Sequence, residues 1–263
     1  MIFQKRNNIK ITGNGTQVML FAHGFGCDQN MWRLVAPAFE SQYKVVLFDH
    51  VGAGHSDLSA YVPTKYAELD GYANDLVDII TEMDIWDIVF VGHSVSAMIG
   101  AMAAQRAPER FSSLVMVAPS PCYINDEDYT GGFSKNEVDE LLDAMEGNHL
   151  GWSMNMAPVI MGNADRQELS AELANSFCRT DPAIARQFAR ATFLTDKRSI
   201  LPGITTPTLL LQCSEDIIAP REVGEYMHKN IPGSTLVIME ATGHCPNLSA
   251  PAETIAAIQQ FLA

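Results

Sequence analysis

Basic residues are scarce in this chain. Seventeen Lys and Arg stand against 31 Asp and Glu, for a formal charge of −14 over 263 residues. A nucleic acid or an anionic membrane surface would be repelled by that balance, and no basic run counters it. Long hydrophobic runs are missing too: no segment approaches the roughly 18 uninterrupted apolar residues that a bilayer span needs. The opening residues, MIFQKRNNIKITGNG, hold no apolar stretch followed by a small-residue cleavage site. A cytoplasmic protein is therefore expected. Cysteine is sparse: Cys27, Cys122, Cys178, Cys213 and Cys245 are odd in number, scattered, and never spaced C-x-x-C. Neither a disulfide framework nor a zinc site is expected, and hence no metal.

Against these absences stands an ordinary globular composition, 47% hydrophobic, in a chain long enough for one large domain or a domain carrying an insertion. Short apolar runs alternate with amphipathic stretches. Gln17–Ala22, Lys44–Phe48, Ile88–Val91, Leu114–Val117, Thr208–Leu211 and Leu236–Met239 read as buried strands. Leu69, Tyr72, Leu76, Ile79, Ile80 and Met83 recur at helical spacing, which predicts a helix over about 65–84 with one apolar face. Further helices are predicted from Val95 to about Ala107, near 221–230, and from about Ala252. Such repeated β–α units imply a mostly parallel sheet flanked by helices. The interval 123–198 breaks the rhythm with helical patterns and no convincing strand. It reads as a helical cap inserted between core segments 1–122 and 199–263.

The stretch Gly92-His93-Ser94-Val95-Ser96 follows a predicted central strand and precedes a helix. That is the setting of a Gly-x-Ser-x-Gly nucleophile elbow, with serine in place of the last glycine. A serine hydroxyl attacks only when a base takes its proton. Of seven histidines, His244 follows the last strand and can reach back toward Ser94. Asp216, at the end of the preceding strand and before the next helix, is favoured over Glu215 as the carboxylate that orients it. The order Ser, Asp, His is that of the α/β-hydrolases. The developing oxyanion requires backbone donors; Val95, after the nucleophile, and Phe25, in the early His23-Gly24-Phe25-Gly26 loop, are the candidates.

Each piece also has a plainer reading. Ser94 could be a helix N-cap, Asp216 could cap the helix near Pro220, and His244 could simply bond within a loop. Asp28 reads as the cap of the helix holding Met31 and Trp32. Gly52-Ala53-Gly54 lacks the Gly-x-Gly-x-x-Gly entry of a phosphate site, and Cys245 reads as packing. Ser96 adds a hydroxymethyl group expected to bond a helical carbonyl without displacing Ser94.

On HGFGCDQNMW (23–32), LFDHVGAGHSDLSAY (47–61), LDGYANDL (69–76), VMVAPSPCYINDEDYTGGF (115–133), DPAIARQFA (181–189), LQCSEDIIAP (211–220) and GHCP (243–246), the whole chain resembles the RsbQ-like α/β-hydrolases of bacterial stress signalling. It is similar, more distantly, to the plant karrikin and strigolactone receptors. The resemblance implies a Ser94–His244–Asp216 triad, an oxyanion hole from Phe25 and Val95, and a V-shaped cap of four helices. It also implies a buried apolar pocket for a small ester or lactone, and no cofactor. Among the large apolar residues of the cap, Phe133, Trp152, Met154 and Phe193 are expected to line that pocket together with Phe25. A regulatory partner such as a sensor-domain phosphatase is implied as well. Two functions follow: a serine hydrolase that cycles, or a ligand-responsive signalling module that hydrolyses slowly or once. Lyase or cofactor-free oxygenase chemistry on the same fold has no feature in its favour.

Overall fold

The computed structural model describes residues 2–263. A short helix α1 (Ile2–Arg6) leads to strands β1 (Lys10–Thr12), β2 (Val18–Ala22) and β3 (Lys44–Phe48). Next come α2 (Leu69–Glu82), β4 (Ile88–His93), α3 (Val95–Arg106) and β5 (Phe111–Val117). Four consecutive helices follow: α4 (Lys135–Gly147), α5 (His149–Met161), α6 (Gln167–Arg179) and α7 (Pro182–Phe193). The alternation then resumes with β6 (Thr208–Glu215), α8 (Arg221–Asn230), β7 (Thr235–Thr242), a one-turn α9 (Pro246–Ser249) and α10 (Pro251–Leu262).

The strands form one seven-stranded sheet in the order β1-β3-β2-β4-β5-β6-β7. Every pairing is parallel except that of β1 with β3. The central strands are buried on both faces, which is why they read as continuous apolar runs: every residue of β2 and β4 is buried. Leu20, Val46, Phe90, Leu114 and Leu210 face one way, into the packed surfaces of α2 and α3. Met19, Phe21, Val45, Val91 and Val115 face the other way. That second layer runs without a break into Trp152, Phe177 and Phe193 of the four inserted helices. Each fully buried aliphatic side chain contributes roughly 1.5–3 kcal/mol, so the inserted helices are held to the sheet by the same apolar burial that holds the sheet together.

The helix predicted over 65–84 is shorter, because Val62–Tyr66 forms a turn whose Lys65 and Tyr66 N–H groups both donate to the Val62 carbonyl. It ends where Asp84 takes a left-handed φ of 47°. The inserted segment contains an added feature: Ile124 and Phe133 form an isolated bridge ahead of α4. The entry to α4 carries a capping box, Ser134 Oγ accepting from the Glu137 N–H and the Glu137 carboxylate accepting from the Ser134 N–H. Asp28 does cap, its Oδ1 accepting from the Asn30 N–H at 2.8 Å, but what it caps is a 3₁₀ turn, Gln29–Trp32. Gly54 has a structural reason: a Cβ there would lie 2.4 Å from the Asp49 carboxylate, which accepts from the Gln29 and His55 N–H groups.

Candidate active site

The strand β4 ends at His93 and α3 begins at Val95, so Ser94 alone makes the turn. Its φ of 56° and ψ of −126° are sparsely populated for a residue with a side chain. Such a conformation costs about 1–3 kcal/mol and persists only where the surroundings impose it. Here the Ser94 N–H is tied to the Val117 carbonyl of β5 at 2.8 Å. Gly92 provides the close approach: a Cβ on it would sit 2.6 Å from the Ser96 carbonyl oxygen. The side chain of Ser96 points elsewhere, to the His23 carbonyl and to His50 Nε2. The expected bond to a helical carbonyl is thus replaced by bonds to two other segments. The space that a glycine would have left is occupied by a hydroxyl with two partners, and the turn is intact.

Beyond this turn, Ser94 Oγ lies 2.8 Å from His244 Nε2, and His244 Nδ1 lies 2.7 Å from Asp216 Oδ2. All three side chains are buried. Because a carboxylate oxygen accepts, Nδ1 carries the proton and Nε2 is left to accept from the Ser94 hydroxyl. Asp216 Oδ1 meanwhile accepts from the N–H groups of Ile218 and Ala219. Asp216 does not cap the following helix, whose N-cap Pro220 has no side-chain bond; its Oδ1 holds the turn ahead of that helix, and its Oδ2 faces His244.

The loop carrying His244 is fixed from three sides. The Gly243 N–H donates to the Glu215 carbonyl at 2.7 Å, and the glycine itself has a φ of 80°, with the Met161 carbonyl pressed against it. The His244 N–H donates to the Ile160 carbonyl near the end of α5. His93 Nε2 donates to the His244 carbonyl at 2.7 Å. Burial, with His244 next to it, pushes the His93 imidazole down to about 3, so the ring is neutral. Its position immediately before the nucleophile was the one sequence signal for this supporting role.

On the other side, Gly24 presses against the elbow. A Cβ there would lie 2.6 Å from His93 Nδ1 and 3.2 Å from Ser94 Cβ. Phe25 follows it directly, and Val95 is the first residue of α3, where an N–H has no acceptor within its own helix. Phe25 thus shares a cavity with Ser94, and Val95 follows the serine at the start of the helix.

Above Ser94 is a small apolar cavity of about 30 Å³, room for no more than a few waters. Ser94 and His244 line it with Phe25, Tyr123, Phe177, Phe193 and Ile218. The Thr192 hydroxyl borders it and has no hydrogen-bond partner, while the Tyr123 hydroxyl is directed at the Ser94 hydroxyl. Desolvation raises the Tyr123 phenol above its ordinary range, so it remains a donor. Two roomier depressions of about 500 and 550 Å³ lie elsewhere, bordered by Asp28, Arg33 and Arg179, and neither reaches Ser94 or His244.

The expected pocket residues divide. Phe25 lines the cavity and is the hub of an aromatic cluster, its ring 5.9 Å from Phe177 and 6.0 Å from Phe193. Phe193 lines it as well. Trp152 packs behind, 6.2 Å from Phe25 and 5.5 Å from Phe177, and the Phe133 ring meets the cluster at Phe193, 6.4 Å away, without lining the cavity. Met154 is a correction: it is 59% exposed, on the outer face of α5. Two residues along a helix from buried Trp152 is about 200° of rotation. Tyr123 and Ile218 were not anticipated; Ile218, two residues after Asp216, had proximity to that carboxylate as its only signal.

A model of the family described as "Alpha/beta hydrolase family" matches residues 19–258. The karrikin insensitive 2 receptor CA of Petunia hybrida is 38% identical over 95% of this chain and 93% of its own length. The strigolactone esterase D14 of Arabidopsis thaliana is 38% identical over 97% of this chain and 94% of its own. Among solved structures, olei00960, a hydrolase from Oleispira antarctica, superposes with a TM-score of 0.97 at 44% identity, over 99% of this chain and 96% of that one.

Proposed function

The chain belongs to the α/β-hydrolase family, and we propose that it is a serine hydrolase cleaving a small, largely apolar ester or lactone through an acyl-enzyme. The observation that carries this reading is the buried line from Ser94 Oγ through the His244 imidazole to Asp216, opening into an apolar cavity. In this reading His244 Nε2 takes the Ser94 proton as Oγ attacks the carbonyl. The charge that develops on the carbonyl oxygen is met by the Phe25 and Val95 N–H groups. Asp216 holds the imidazole in the required tautomer and stabilises the imidazolium, which then protonates the leaving alcohol. Water repeats the sequence to release the acid. No metal or organic cofactor takes part. Residues 123–198 act as the cap over this site, between the two core segments, and Phe25, Phe177 and Phe193 must shift to admit a substrate larger than the cavity.

Similarity to plant receptors over nearly the whole chain supports a second reading. There the protein is an RsbQ-like signalling module in the cytoplasm, hydrolysing slowly or once and contacting a regulatory partner such as a sensor-domain phosphatase. Turnover separates the two. Sustained hydrolysis of p-nitrophenyl acetate, reduced at least about 10³-fold in Ser94→Ala, is the expected result for the enzyme. A single stoichiometric burst favours the module, and equal turnover by wild type and Ser94→Ala overturns both.

A further inference from the structure

Ser96, His50 and His23 form a closed chain of buried polar groups that takes no part in the proton transfers described above. Ser96 Oγ contacts both the His23 carbonyl and His50 Nε2. A carbonyl can only accept, so the Ser96 proton points at it, and His50 must donate from Nε2 to Ser96 Oγ at 2.7 Å. The His50 backbone N–H in turn donates to His23 Nε2 at 3.1 Å. That leaves the His23 proton on Nδ1, which donates to the Gly24 carbonyl at 2.9 Å. The proton inventory closes with both rings neutral. All three side chains are buried, and the rings pack edge to face at 4.7 Å.

The Gly24 carbonyl and the Phe25 N–H belong to one planar trans peptide, so fixing the direction of the carbonyl fixes the opposite direction of the N–H. The Cys27 N–H also donates to that carbonyl. Ser96 stands in the first turn of α3, one residue after Val95. We propose that Ser96 is a positioning residue: through His50 and His23 it ties the helix carrying the Val95 N–H to the loop carrying the Phe25 N–H, and so fixes the spacing of the two oxyanion donors. The serine in the elbow's last position is then a working part of the site. This rests on the oxyanion assignment made above.

The test uses the full-length protein with Ser96→Ala, Ser96→Thr, His50→Phe, His50→Gln and the double variant Ser96→Ala/His50→Phe. A misaimed donor weakens the transition state more than the bound ester. Ser96→Ala is therefore expected to lower kcat between about 10- and 100-fold, with KM within about twofold. Ser96→Thr, which keeps the hydroxyl, and His50→Gln, which keeps an N–H donor, should recover most of the loss. The double variant should be no slower than the slower single variant, because both cut the same chain. Amide hydrogen exchange over residues 23–27 should quicken at least about tenfold in Ser96→Ala while β4 and β5 stay protected. A wild-type kcat in Ser96→Ala, additive losses in the double variant, or exchange that rises throughout the molecule each overturn the proposal. If His50→Phe does not fold, Ser96→Ala and its exchange pattern decide alone. Should the wild-type protein hydrolyse no ester, the hydrolase reading fails, while the exchange measurement still decides whether Ser96 organises the loop.

Discussion

The cavity above Ser94 has two walls of different construction. The sheet-end wall is built from polar groups bonded to one another: Ser94 to His244, His244 to Asp216, His93 to the His244 carbonyl, Ser96 to His23 and His50. The wall from the inserted helices is built from rings, with Phe177, Phe193 and Trp152 gathered around Phe25 at 5.9–6.2 Å. At the cavity the Thr192 hydroxyl of this wall is unpaired. Directional bonds hold donors and acceptors to tenths of an ångström, as proton transfer requires. Ring packing is non-directional, so it can yield to a ligand, and an unpaired buried donor rewards a ligand that accepts from it. One wall is made to keep its shape and the other to take that of a substrate.

The sharpest way to break this comparison is to disturb the bonded wall by a single atom. Asp216→Asn keeps the shape and leaves Oδ1 able to accept from Ile218 and Ala219, but it presents an amide to His244 and favours the wrong tautomer. Turnover is expected to fall by about 10⁴-fold, or about 5.5 kcal/mol, with the melting temperature little changed. A loss below tenfold would mean that the buried line through His244 does not set the rate.

The bonded wall should also show itself in acid. Burial drives His93 down to about 3, and burial first, then the neighbouring His23, drives His50 well below the ordinary 6.5. Both rings are neutral when folded and gain a proton when the chain unfolds below pH 6.5. Stability is therefore highest above about 6.5 and falls as the pH drops from there toward 3. Each histidine contributes up to about 1.4 kcal/mol per pH unit. Urea midpoints measured from pH 7 to 5 check this; His50→Gln should flatten the slope by one histidine's share. An unchanged midpoint across that range would show that these rings are not held neutral by the fold.

The same division decides what could be read from the residues alone. Ser94, Asp216 and His244 each follow a parallel strand that announces itself as a short apolar run, buried in β4 and β6 and half-buried in the edge strand β7, so the position of all three followed from chain order and local pattern. Strand β1 was missed because Lys10–Thr12 is a three-residue, largely exposed edge with no apolar run. Ser96 was expected to bond within its own helix; its partners come from residues 23 and 50, and no local pattern encodes a contact across 46 or 73 positions. The segment 123–198 was legible as helices but not as faces. Helix α5, HLGWSMNMAPVIM, is apolar almost all round, so nothing in its periodicity separates Trp152, packed behind the cavity, from Met154 in solvent.

Met154 therefore gives the smallest expected effect and the closest test of where the ring-built wall ends. At 59% exposure the side chain covers no cavity atom, and glutamine has a similar length and helix propensity. Met154→Gln should change stability by less than about 0.5 kcal/mol and leave kcat and KM for p-nitrophenyl acetate at wild-type values. A raised KM would mean that α5 turns its outer face inward when a substrate is bound. The wall would then rearrange by rotation of a whole helix, and Trp152, on the opposite face, would have to leave Phe25 and Phe177 for Met154 to arrive. An unaltered KM instead keeps the adjustment local, in the rings of Phe25, Phe177 and Phe193, while the helix that hands its Ile160 carbonyl to the His244 N–H stays in place.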